Sequence, residues 1–158
     1  MKLNTLPNHS RVWIYQADRF LTENEVNSAN LMLAEFVAKW AAHGKKLDAA
    51  AEVINNLFIV IGVDEQQAAA SGCSIDASMG IILTLENQFN VSFTNRMIMA
   101  AEVDNAITLK SIHDLPALID NKELSLDTLV FDNLVNTIGD WKTNWLKPMR
   151  DSWHVRFV

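Results

Sequence analysis

The chain reads as an α/β sandwich with the strand–helix–strand–strand–helix–strand order of ferredoxin-like folds, followed by a C-terminal α/β extension. Three observations carry that reading. The first is an 11–16 segment rich in β-formers, Arg-Val-Trp-Ile-Tyr-Gln, set directly before a capping box at Thr22 and Glu25. The second is a pair of apolar runs, 50–54 and 57–63, separated only by Asn55 and Asn56, which tolerate the positive φ of a tight hairpin turn. The third is a second helical pattern followed by another β-rich segment, 96–103.

Each element has its own signal. After the capping box, Val26, Ala29, Leu33, Phe36, Val37 and Trp40 recur at spacings of three and four and form one apolar helical face, with Gly44 as the expected stop. The run 57–63 is apolar on both faces, as in a central strand. The second helix is expected over about 75–89, with Ser74 as its N-cap and Ile75, Met79, Ile82, Leu83, Leu85 and Phe89 on its apolar side. Beyond residue 103 the pattern predicts short strands at 107–109 and 129–131. It also predicts a helix within 111–120 that Pro116 forces to be short, kinked or started at Leu115, and another over 137–145. No linker or repeat interrupts the 158 residues, so one domain is expected, with a core over about 10–103 and an elaboration over about 104–158.

Composition narrows the function. Hydrophobic residues make up 49% and charged residues 20% of the chain, ordinary globular usage. A net charge of −6 works against nucleic-acid backbones. No apolar run has the length of a membrane span, and the N-terminus has no signal-like apolar core, so a cytoplasmic location is expected. The single cysteine excludes an internal disulfide. With four dispersed histidines it offers no zinc spacing, and no cofactor is expected. No P-loop and no G-x-G-x-x-G occurs, which removes P-loop nucleotide and dinucleotide readings.

The candidate site lies at residues 64–76, where Asp64 and Glu65 end the central strand and a small-residue loop leads to Ser71-Gly72-Cys73-Ser74 and Asp76. Ser71, Gly72 and Ser74 could hold an anion on backbone N–H groups at a helix start. Asp64, Glu65 and Asp76 read either as acid, base or cation ligands or as ordinary loop and helix-dipole carboxylates. Cys73 reads as a small apolar filler or, with His154 folding back as base and Asp64 orienting it, as a nucleophile. The ending carries Trp153, Arg156 and Phe157 and is expected to dock on its own domain or on a second copy, with Trp153 and Arg156 contributing to the site.

The segments V-W-I-Y-Q-A-D-R, F-I-V-I-G-V-D-E, A-S-G-C-S-I-D-A-S, F-D-N-L-V and the terminal D-S-W-H-V-R-F resemble a family of small Bacteroidetes proteins often labelled "ABC transporter ATPase". The resemblance runs along nearly the whole chain and implies no catalytic residue. L-S-G-G-Q, which that label would require, has no counterpart. The leading expectation is a domain, dimeric in solution, that binds a small molecule, an anion or a protein partner at residues 64–76. A Cys73-dependent acyl-transfer or hydrolytic enzyme is the alternative, and an assembly protein without ligand the third reading.

Overall fold

The computed structural model describes residues 2–158. The chain forms β1 (Arg11–Gln16), α1 (Glu23–Lys39), the short β2 (Ala41–Ala42) and β3 (Lys45–Lys46), β4 (Asp48–Ile54), β5 (Phe58–Asp64) and α2 (Gly72–Phe89). It continues through β6 (Ile98–Val103), β7 (Ala106–Ser111), α3 (Leu115–Asp120), β8 (Leu129–Phe131), α4 (Ile138–Asn144) and β9 (Leu146–Pro148). The long elements follow the expected α/β order, and the chain closes with a strand–helix–strand extension.

The first sheet has the order β1-β5-β4, antiparallel throughout. Asn55 and Asn56, at φ 56° and 55°, make the expected tight turn between β4 and β5. β5 is buried along residues 58–63. Its two faces alternate as a pleat requires. One packs under the helices. The other, bearing Phe58 and Gly62, meets the N-terminal turn, α4 and the second sheet. A Cβ on Gly62 would lie 2.7 Å from Leu6 Cδ1, so only glycine fits there without displacing Leu6.

β6 does not continue the first sheet. It pairs with β7 and β8 in a second sheet of order β7-β6-β8-β9. Alternation along β6 serves two cores: Ala100 faces the main core, while Met99 and Ala101 join Ile112, Leu115, Leu118 and Met149 beneath α3. Phe131 of β8 crosses back to the first sheet and stacks on Phe58 and Trp145, with ring centroids 5.0 and 4.8 Å away.

α1 begins at the predicted capping box. The Thr22 hydroxyl accepts from Glu25 N–H at 3.2 Å and the Glu25 carboxylate accepts from Thr22 N–H at 2.9 Å. Arg19 also pairs with Glu25 and, with the cap, holds that carboxyl down at about 2. Thr22→Ala is therefore expected to cost about 1 kcal/mol, read as a lower urea midpoint at unchanged m-value.

Three local expectations are corrected. α1 stops at Lys39, and Gly44 (φ 77°) instead forms the β2–β3 turn with His43. The N-cap of α2 is Ser71, not Ser74, because Ser71 and Ser74 form a reciprocal capping box one turn earlier. The face of α2 that packs inward carries Ser74, Ser78, Ile82, Leu85 and Phe89, while Met79 and Leu83, expected on the apolar side, are exposed. The tail, by contrast, docks on its own domain, one of the two expected alternatives, through Met149 N–H to Thr128 and Arg150 N–H to Leu126. The residues it buries are Met149, Ser152 and His154, while Phe157 stays exposed.

Candidate functional site

Most of the residues expected at 64–76 are already engaged in hydrogen bonds or ion pairs within the fold. Asp64 accepts from Gln66 N–H and bonds His9, both at 3.0 Å, which lowers its carboxyl below the usual range. Glu65 pairs with Arg11 at 3.4 Å and accepts from Ala70 N–H, so it closes its own loop. The hydroxyls of Ser71 and Ser74 are used in the cap, and the Ser74 carbonyl accepts from Trp40 Nε1–H at 2.8 Å. Asp76 is exposed in the second turn of α2, not the first.

Cys73, with Gly72 before it, is exposed, which corrects the reading of the thiol as a buried filler. It borders an open groove of ≈ 440 Å³ with Phe36, Trp40 and His43. His154 lies elsewhere. It is 1% exposed and lines a different cavity, so the structure does not bring Cys73 and His154 together. Arg156 is exposed and lines neither space.

The cavity at His154 has a volume of ≈ 170 Å³. It exists because β6 leaves the first sheet. In a continuous ferredoxin-like sheet the edge of β1 would be covered by a fourth strand. Here the edge is covered at one end by residues 136–138, through Val12 N–H to Asn136 at 3.0 Å and Ile138 N–H to Ser10 at 2.8 Å. At the other end the Gln16 amide reaches Ile98 O at 3.0 Å. Between these ties lies Ile14. Val12 N–H points away from β5, so by antiparallel alternation Ile14 N–H and C=O do too. Among the described residues nothing bonds them.

The other walls come from Met79 of α2, the α2–β6 connection with Phe93 and Arg96, Asn133 and Leu134 after β8, and Trp153 with His154 from the tail. A polar chain fixes the floor: Asn133 Nδ2–H donates to Gln16 Oε1 at 3.0 Å, and Trp145 Nε1–H donates to Asn133 Oδ1 at 2.9 Å. Lys147 and Asp132 form a nearly buried pair at 2.9 Å beside it. Tyr15 also lines the cavity, and burial raises its phenol above the ordinary range against a weaker opposing effect of Ser78.

His154 is held from two sides. Its ring stacks on Trp153 with centroids 4.1 Å apart, and Nδ1 lies 2.6 Å from Ser152 Oγ. Burial lowers its pKa to about 4, against a smaller upward pull from Asp132. The ring is therefore neutral at pH 7. Ser152 Oγ and Nδ1 share this hydrogen bond, and the place of the ring proton sets which of the two donates. Trp153 buries its indole N–H without a partner.

Of the sequence candidates, Trp153 and His154 line this cavity; Ile14, Gln16, Arg96 and Asn133 are additions. A signal for two of them was present: Gln16 is an uncharged amide at the end of β1, and Asn133 is one just beyond the apolar β8. Comparisons with protein-family models, curated proteins and solved structures give no match. Among the described residues no helix is long and apolar enough to cross a membrane, and no group of three His, Cys, Asp or Glu is placed around a common point for a metal ion.

Proposed function

We propose that this protein is a small-molecule-binding module whose site is the cavity between the β1 edge and the Trp153-His154 tail, rather than the loop at residues 64–76. One observation carries the reading: an ≈ 170 Å³ cavity, mostly apolar, lined by Ile14, whose backbone N–H and C=O are unbonded, and by the buried, neutral imidazole of His154. A cavity of about 150 Å³ already accommodates a benzene ring. Mostly apolar walls with a few fixed polar groups are the usual composition of ligand sites.

The indole N–H signals of the five tryptophans report the site directly. Trp153 lines the cavity, and Trp40 borders the Cys73 groove. Titration of toluene into ¹⁵N-labelled protein should shift the Trp153 indole saturably and leave Trp40 unmoved, with the signals assigned from Trp→Phe variants. A response confined to Trp40, or none at saturating toluene, contradicts the proposal.

A further inference from the structure

The chemistry of the cavity lining selects among small molecules. The inference rests on the binding reading above and goes on to the class of ligand. Four donors belong to residues that line the cavity. Ile14 N–H lies on the unbonded β1 edge. His154 lines the cavity as a neutral imidazole, which carries its N–H on Nε2 when Ser152 donates to Nδ1. Trp153 holds a buried indole N–H that no protein group accepts. Arg96 stands exposed on the α2–β6 connection, lining the same cavity, and no carboxylate lies within ion-pair distance of it among the described residues.

The acceptors of the lining, the unbonded Ile14 C=O among them, are all uncharged. No Asp or Glu lines the cavity. Asp132, the carboxylate nearest His154 in its effect, is neutralised by Lys147 at 2.9 Å. Asn133 and Gln16 spend their amides on each other, on Trp145 and on Ile98. The Trp153 indole N–H is buried without an acceptor, and such a donor is costly unless a partner supplies an oxygen atom. Met79, Phe93 and Trp153 meanwhile demand an apolar body, and the volume limits that body to about one ring.

We infer that the cavity takes a small monocarboxylate with a ring-sized apolar body, its carboxylate held by Arg96, His154 Nε2–H and the edge N–H of Ile14. A cationic ligand would find no counter-charge in the lining, and a neutral hydrocarbon would leave the donors unpaired.

Benzoate, benzyl alcohol and benzylamine are matched probes, titrated by calorimetry or by the Trp153 indole signal. Benzoate should bind about tenfold tighter than benzyl alcohol, and benzylamine weakest, as a charge-assisted pair requires. Arg96 is exposed, so Arg96→Gln should fold; it should weaken benzoate about tenfold and leave benzyl alcohol unchanged. Independently, ¹⁵N shifts of the unliganded His154 ring should show the Nε2–H tautomer. If benzyl alcohol or benzylamine binds as tightly as benzoate, if Arg96→Gln weakens all probes alike, or if the ring is the Nδ1–H tautomer, the carboxylate inference fails while the binding reading stands. If none of the three binds and toluene also fails, both fall together.

Discussion

Phe58→Ala is expected to destabilise the protein by about 3–5 kcal/mol, the usual range for removing a buried phenyl ring. Phe58 is 0% exposed on the central strand. Its ring touches Phe131 at 5.0 Å and Trp145 at 4.7 Å between centroids, and Trp145 also stacks near Trp141 at 6.0 Å. These rings are the joint between the first sheet and the extension, so the void left by alanine cannot close without moving a whole sheet. Phe58→Leu keeps most of the volume and should cost markedly less. Urea melts of the three proteins decide the matter. A loss below about 1.5 kcal/mol for the alanine variant would mean that the second sheet is anchored elsewhere.

Acid should weaken the protein through His154. The folded ring has a pKa of about 4 and the free one 6.5, because burial penalises the imidazolium. A group depressed in the folded state binds its proton in the unfolded chain first. Stability is therefore complete above about pH 6.5 and falls as pH drops toward 4. The expected loss between pH 7 and pH 4 is about 2–3 kcal/mol from this ring. Glu25, held at about 2, acts in the same sense as His154 but in a lower window, contributing stability that is present above its ordinary value of 4.5 and lost as pH falls toward 2. Denaturant midpoints at several pH values, compared with His154→Gln, isolate the ring, and an NMR titration of the His154 Cε1–H signal reads its pKa without any variant. A midpoint near 6.5 in that titration would place the ring in water and undo the account of the cavity.

The first half of the chain was legible because its signals are local. The Thr22–Glu25 box and the Asn55-Asn56 turn require only neighbouring residues, and both form as expected. The both-faced apolar pattern of 57–63 marks a central strand wherever the sheet lies. The start of α2 was misplaced because two serines three apart both suit an N-cap, and only the packing of Ser74 and Ser78 against the sheet decides between them. The departure of β6 from the first sheet was not legible at all. It depends on the pairing of residues 136–138 with β1, a contact more than a hundred residues apart. That same long-range choice creates the cavity, so the site could not be found by spacing. Of the candidates named from the sequence, Trp153 and His154 line it, but Cys73 is not the partner of His154. The residue that His154 meets is Ser152, two positions away.

The central claim is that the opening between β1 and the tail is a ligand site. Crystals soaked in bromobenzene test it most directly, because anomalous scattering locates bromine without prior assumption. The account predicts one strong peak among Ile14, Phe93 and Trp153. Bromine found only in the groove beside Cys73 and Trp40, or nowhere in the protein, would contradict it.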